Sequence, residues 1–147
     1  MADYIKTYER TAFEGELSDG DIIAIDGPGV DFTVFENVFS GFTETGVVAA
    51  SDDGVTWHEF NCVADDVDAG FVGCAGVHSV FSSPENGVSA TDPQVSGGDS
   101  FDLAIVGLQR ARFVRIRDSG KNRFYVAPSG GFDLDAVAVV NGQSVTP

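Results

Sequence analysis

The sequence predicts an all-β domain with many turns. Eighteen glycines stand against a single methionine in 147 residues, and phenylalanine is abundant. Short apolar runs alternate with Gly- and Asp-rich turns, and no long segment has the 3.6-residue apolar period of an amphipathic helix. A chain of this length buries about two thirds of its unfolded surface. We predict an N-terminal arm or edge strand over residues 1–20 and a single β-sandwich domain over residues 21–147.

The closing segment, residues 130–140, is predicted to be a strand deep in a sheet. After two glycines and two carboxylates, its small and β-branched residues continue without a charge, which is typical of a strand buried on both faces. The carboxylates Asp133 and Asp135 are two residues apart, so their side chains point to the same side of the strand. Such a pair requires a cation, hydrogen-bond donors or open water.

Asp31 and Glu36 are two further acids, near the ends of a predicted strand over residues 31–37. They are solvated strand-end residues, or they bind a cation together with Asp133 and Asp135 if the first and last strands are neighbours. The second interpretation predicts a structural calcium site of four carboxylates, because Ca²⁺ prefers oxygen ligands.

The charge of the chain is strongly uneven. The formal charge is −15, and no Lys or Arg occurs between Thr11 and Gln109. So acidic a surface repels nucleic acid and anionic membranes, which are therefore not expected partners; it suits solubility, divalent cations or high salt. No apolar run approaches the ~20 residues of a transmembrane helix. The first residues lack a secretion signal, which leaves a removed leader, another export route and an intracellular protein as alternatives.

Residues 46–60 carry a strong hairpin signal. An apolar strand leads into an Asp-Asp-Gly turn at residues 52–54, and a second strand with Thr56 and Trp57 follows. Trp57 is either an exposed platform on which a ligand stacks or an anchor in the core. We favour the anchor.

Cys62 and Cys74 lie in a loop-rich stretch over residues 61–97. In an oxidising compartment they predict a disulfide, which would contribute on the order of 3 kcal/mol by closing the loop between them. Together with His58 and His78 they also form a His-x3-Cys-x11-Cys-x3-His pattern, which offers four zinc ligands in a reducing compartment. The disulfide is the favoured interpretation, and zinc and free thiols are the alternatives.

Six of the eight basic residues lie between residues 110 and 123. In the strand predicted there, Phe113, Arg115 and Arg117 share one face. The favoured role of this patch is structural, because Arg pairs bidentately with acids on adjacent strands. The alternative role is a site for an anionic sugar or a carboxylate, which makes Arg115 and Arg117, with Trp57, the candidate ligand-binding residues.

The sequence carries no recognisable catalytic motif. His58 and His78 are the only histidines, and neither a Gly-x-Ser-x-Gly elbow nor a Gly-x4-Gly-Lys-Ser/Thr phosphate loop is present. Asp133 and Asp135 lie on one strand, about 7 Å apart at the backbone. A glycosidase would need such a pair of acids to line a cleft, and the start of a buried strand offers none. We therefore expect a protein that is not an enzyme.

Several stretches resemble a known family. Residues 49–57 (AASDDGVTW) look like a strand and turn of discoidin domains, the coagulation-factor type C modules. Residues 111–116 (ARFVRI) resemble that family's Ala-Arg-Tyr-Val-Arg-Ile strand. The ending, residues 131–137 (GFDLDAV), is closer to secreted, calcium-binding surface modules of myxobacterial type, in which stretches like residues 26–37 and 98–103 are also expected.

The resemblance implies a galactose-binding-like, antiparallel jelly-roll β-sandwich that is non-catalytic and often holds a structural calcium. Loops at one end of such a sandwich usually bind sugars, lipids or proteins. The expected function is therefore a calcium-stabilised extracellular module that binds carbohydrate or another cell-surface component, such as a surface protein. The alternative is a structural protein of a virion, tail fibre or surface layer, which self-assembles through residues 1–13.

Overall fold

The protein consists of β-strands joined by turns and loops. The computed structural model describes residues 7–9, 12–16, 22–36, 43–120 and 132–144. The strands are β1 (Thr7–Glu9), β2 (Ala12–Glu16), β3 (Ile22–Ile25), β4 (Phe32–Phe35), β5 (Gly46–Ser51), β6 (His58–Glu59), β7 (Asp99–Phe101), β8 (Arg110–Ala111), β9 (Phe113–Asp118), β10 (Ala136–Val139) and β11 (Gly142–Ser144). A 3-10 helix, Leu103–Val106, follows β7. The predicted all-β class is confirmed, and no helix in these ranges is long and apolar enough to cross a membrane.

The strands form three antiparallel sheets. One sheet has five strands in the order β1-β2-β9-β5-β6, and the other two have three strands each, β10-β4-β7 and β11-β3-β8. The closing strands therefore pair with early ones, β10 with β4 and β11 with β3. The expectation that the early and closing strands are neighbours is met.

The N-terminal segment contributes two strands rather than one. β1 pairs with β2, with Tyr8 opposite Phe13, and β2 pairs with β9, with Phe13 opposite Ile116. The described part of residues 1–20 thus extends the five-stranded sheet, and the rest of that segment lies outside the described residues.

One apolar core joins the three sheets. Within it, the ring of Phe32 stacks on that of Phe101, with the centroids 5.3 Å apart. Phe60 meets Phe32 and Phe101 edge to face, at 6.0 and 5.0 Å. Aromatic pairs in these geometries contribute about 0.5–1.5 kcal/mol beyond the area they bury. The five-stranded sheet adds Val114 and Ile116, which alternate along β9 as its pattern predicts.

The closing strand is shorter than predicted but is buried on both faces. It covers Ala136–Val139, and both Val137 and Ala138 are fully buried although they point to opposite faces. Residues 130 and 131 of the predicted strand lie outside the described residues. Asp133 and Asp135 precede the strand and are exposed.

The predicted hairpin is present, with β5 and β6 as its strands. Its turn depends on the carboxylate of Asp53, which accepts hydrogen bonds from the backbone N–H groups of Thr56 at 2.7 Å and Val55 at 2.8 Å. These bonds, with a smaller one from the Ser51 hydroxyl, lower the pKa of Asp53 to about 2. Gly54 has a φ of 75°, which glycine adopts without steric cost.

The predicted disulfide joins Cys62 and Cys74. The chain after Cys74 then pairs with the start of β5, because Ala75 and Gly46 exchange two backbone hydrogen bonds of 2.9 and 3.0 Å. The disulfide therefore anchors the long loop close to the five-stranded sheet.

Candidate functional site

The outer face of the five-stranded sheet carries the predicted ligand-binding residues. Val114 and Ile116 of β9 point into the core, so Arg115 and Arg117 point away from it. Glu59 lies on the same side as Arg115, because both residues pair with Ala49 of β5, from the strands on either side of it. The structure thus brings the predicted residues together. The group that we call the outer face consists of Trp57, Glu59, Arg115 and Arg117.

Trp57 and Arg115 form a stack on the outer face. The guanidinium carbon of Arg115 lies 4.6 Å from the centroid of the Trp57 ring. Such a pair contributes about 0.5–1 kcal/mol at an exposed site. Trp57 is half-buried and is not in the core cluster, so the core-anchoring interpretation favoured from the sequence is wrong.

Arg117 is held by an acid of the same face. Its Nη2 donates to Glu59 Oε2 at 3.3 Å, and both side chains are about half exposed. Arg110, at the start of the basic patch, donates similarly from Nε to Asp52 Oδ2 at 2.9 Å. Arg117 and Arg110 thus pair with acids, as the structural role predicts, but each makes a single hydrogen bond to its acid rather than a bidentate one, and Glu59 is two strands from Arg117 rather than on the adjacent strand. The Arg117 side chain remains accessible to a ligand.

A groove of about 420 Å³ opens beside the Arg117–Glu59 pair. Its lining is mostly polar, and carboxylate, amide and guanidinium groups converge on it. The polar lining residues include Glu59, Asn61, Asp65, Arg117 and Ser119. Asp65 lies in the loop that the disulfide closes, and Asn61 immediately precedes Cys62. Neither was predicted from the sequence as a site residue, because its part in the groove depends on the path of the chain there.

The four acids predicted to bind calcium together do not converge. Asp31 precedes β4 and Glu36 follows it, so they lie at opposite ends of that strand. Because β10 runs antiparallel to β4, Asp133 and Asp135 lie at the Glu36 end. A single site with all four as ligands is therefore not formed, because pairing of the strands brings only one end of β4 to the acids that precede β10.

Asp31 is a fully buried carboxylate with three protein donors. Its Oδ1 accepts from the Gly27 backbone N–H at 2.9 Å and from Asn141 Nδ2 at 2.7 Å, and its Oδ2 accepts from the Leu103 backbone N–H at 2.8 Å. These bonds offset the desolvation of the carboxylate. Asp31 therefore ties together three segments that are distant in the sequence.

Asp31 also belongs to a group of acids that the sequence did not indicate. Carboxylate oxygens of Asp26, Asp31 and Asp102 lie within 4.8 Å of one another. Oxygen ligands of this kind suit Ca²⁺. Asp102 also accepts from the Ala104 backbone N–H at 2.9 Å, which caps the 3-10 helix. The three carboxylates are thus ligands of the type that calcium prefers. Two of them, those of Asp31 and Asp102, already accept hydrogen bonds from the protein.

Glu36 is the other buried acid of the predicted calcium set, with 3% of its surface exposed. Its Oε1 accepts from the Asp133 backbone N–H at 3.4 Å, and no described residue donates to its buried Oε2. Burial is the main cause that raises the pKa of Glu36, to about 8. An orphaned, buried carboxylate oxygen is a place that a cation would fit.

The histidines of the zinc pattern contact other groups. His58 Nδ1 lies 3.1 Å from the Val106 carbonyl oxygen, and His78 Nδ1 lies 2.7 Å from Asp99 Oδ1. The two cysteine sulfurs are bonded to each other. The four residues therefore do not form a zinc centre in this structure, because the disulfide uses both of the sulfur ligands that zinc would need.

By its fold and site, the protein is an all-β chain with a disulfide and a polar groove on the outer face of a sheet. Comparison with known proteins adds no relative: no family model, curated protein or solved structure matches the chain. The resemblance to discoidin domains therefore remains a prediction from the sequence.

Proposed function

We propose that the protein is a non-catalytic, calcium-stabilised extracellular module that binds carbohydrate on its outer face. One observation carries this proposal: a Trp57–Arg115 stack lies on the same sheet face as a polar groove that contains Arg117 and Glu59. Sugars offer hydroxyl groups that both donate and accept hydrogen bonds, and flat apolar faces that pack on planar side chains.

The groove supplies both kinds of hydrogen-bonding group. Arg117 and Asn61 offer N–H donors, and Glu59 and Asp65 offer carboxylate acceptors. Planar guanidinium and carboxylate groups form bidentate hydrogen bonds, which select the orientation of adjacent hydroxyls. Because the groove is open and polar, it suits a hydrated ligand better than an apolar one.

The extracellular part of the proposal is supported by the disulfide, because disulfides persist in oxidising compartments. The three antiparallel sheets around one core are compatible with the jelly-roll β-sandwich that the discoidin resemblance implies. The calcium part is supported by the oxygen-rich groups at Asp26, Asp31 and Asp102 and at Glu36.

A glycan array, followed by calorimetry with and without a chelator, tests the proposal. We expect binding to at least one class of glycan, and a lower melting temperature after chelation. Trp57→Ala and Arg117→Ala are expected to weaken binding by about tenfold each, which corresponds to about 1.4 kcal/mol. Arg110→Ala is the matched control, because Arg110 pairs with Asp52 and is not part of the outer face. Silence across varied glycans, with no effect of chelation on melting, contradicts the proposal.

Assembly with other copies is the second candidate function. It is favoured by the position of β1, which is the terminal strand of the five-stranded sheet in the described chain. A terminal strand presents unpaired backbone groups to which a strand of another chain can pair. Light scattering with negative-stain microscopy tests this candidate: loss of assembly on deletion of residues 1–13 supports it, whereas assembly that survives the deletion, or a monomer at high concentration, contradicts it.

A further inference from the structure

Glu36 lies among other acids at one end of β4. It shares a face of that strand with Val34, and Val34 is opposite Asp99 of β7, so the side chains of Glu36 and Asp99 are diagonal neighbours. Besides Asp99, the charges that act on Glu36 are those of Glu44 and Asp133, and each of them raises its pKa. The charges named here are all negative, so none of them balances an ionised Glu36.

Asp99 differs from Glu36 because it has a full set of donors. Its carboxylate accepts from the backbone N–H groups of Gly76 at 2.8 Å, Val77 at 3.1 Å and His78 at 3.2 Å, and it contacts His78 Nδ1 at 2.7 Å. Of these two neighbouring buried carboxylates, only that of Asp99 therefore has hydrogen-bond partners at both of its oxygens among the described residues. The contrast identifies Glu36 as the group that lacks compensation.

A second oxygen converges on the orphaned Oε2 of Glu36. A Cβ atom on Gly76 would collide with both Glu36 Oε2 and the main-chain oxygen of Glu44, so both oxygens lie close to Gly76 and to each other. A glycine at this position, with a φ of 81°, is what allows so close an approach. Carboxylate and carbonyl oxygens that lie close together are suitable joint ligands of a cation, because both are hydrogen-bond acceptors with lone pairs.

We propose that Glu36 is a ligand of a divalent cation of the calcium class, together with the main-chain oxygen of Glu44 and the carboxylate of Asp133. The ligands would all be oxygens, which favours Ca²⁺ over softer metals. The backbone of Asp133 already reaches Glu36 through the 3.4 Å hydrogen bond to Oε1. The inference rests on the calcium part of the proposed function and is independent of sugar binding.

Calcium titration of the chelator-stripped protein by calorimetry tests the inference. We expect the wild-type protein to bind calcium, because the oxygens of Glu36, Glu44 and Asp133 are ligands of the type that calcium prefers. Glu36→Gln mimics the protonated side chain and is expected to weaken calcium binding at least about tenfold. Asp26→Asn tests the other group of acids, and Asp68→Asn, at an exposed acid outside both groups, is the control that is expected to leave the affinity unchanged.

The outcomes separate the inference from the proposed function. Calcium binding that Asp26→Asn abolishes and Glu36→Gln leaves intact overturns the assignment to Glu36 but keeps a calcium-stabilised protein. The absence of calcium binding by the wild-type protein overturns the assignment and the calcium part of the proposed function, and it leaves sugar binding to be decided by the glycan array. If Glu36→Gln does not fold, Asp133→Asn at the exposed ligand decides: a calcium affinity equal to that of the wild-type protein overturns the assignment.

Discussion

At the scale of single residues, the two buried acids at the ends of β4 differ in the hydrogen-bond donors that compensate their burial. Asp31 has donors from Gly27, Leu103 and Asn141, whereas Oε2 of Glu36 has none among the described residues. Burying an ionised carboxylate without compensation costs several kcal/mol, so the first acid is expected to stabilise the fold and the second to bind a proton or a cation.

Replacement of Asp31 by Ala is expected to lower the free energy of unfolding by about 3 kcal/mol or more. The substitution leaves the N–H donors of Gly27 and Leu103 and the amide of Asn141 without their buried acceptor. Denaturant unfolding measures the change. Asp135→Ala, at an exposed acid, is the control and is expected to change stability by less than about 0.5 kcal/mol. Equal effects of the two substitutions would show that the hydrogen bonds of Asp31 are not important.

Glu36 predicts a pH dependence of stability in the presence of a chelator. Its pKa is about 8 in the folded protein and near the ordinary glutamate value of 4.5 when unfolded, so the folded state holds a proton that the unfolded state releases. The free energy of unfolding therefore falls as pH rises from about 4.5 to 8, by up to about 1.4 kcal/mol per unit. In Glu36→Gln this part of the slope disappears, and the smaller contribution of Asp99, whose pKa is also raised by burial, remains. Identical slopes in the two proteins would refute the assignment.

The side chains of the outer face show the limit of sequence patterns at this scale. The alternation along β9 correctly predicts that Arg115 and Arg117 share a face. It does not predict that Trp57 lies against Arg115, because that contact requires the second strand of the hairpin to place its tryptophan near β9. A tryptophan next to a turn is therefore compatible with both a core position and a surface stack.

At the scale of elements, local signals predict most of the strands. The hairpin over residues 46–60 and the strand that contains Arg115 are present as predicted, because apolar periodicity and turn residues determine them locally. Local signals do not predict which acids lie close together. Asp26, Asp31 and Asp102 come together only through the pairing of β4 with β7 and the turn that precedes β4, and no local pattern contains that pairing.

The disulfide is the element whose contribution is most easily measured. Replacing Cys62 and Cys74 together by Ser is expected to lower the free energy of unfolding by about 3 kcal/mol, because the unfolded chain loses the constraint of a loop with a sequence separation of 12. Denaturant unfolding of the variant and of the oxidised wild-type protein gives this difference. Equal stability would mean that the loop is held by its other contacts, among them the pairing of Ala75 with Gly46.

At the scale of the whole molecule, the buried core and the polar groove lie on opposite sides of the five-stranded sheet. The pairing of β10 and β11 with β4 and β3 encloses the aromatic core and the buried acids. The opposite side of β9 and the disulfide-closed loop remain available for a ligand. The all-β class followed from composition and periodicity, whereas the order of strands in the sheets depends on long-range pairing that a single sequence does not specify.

The most direct test of ligand binding at the outer face is an NMR titration of the labelled protein with a glycan that binds on the array. The account predicts that the shifted backbone amides cluster at residues 57–65 and 115–119, which contain the outer face and the groove. Shifts that cluster instead around Asp26 and Asp102, or along β1, would contradict it.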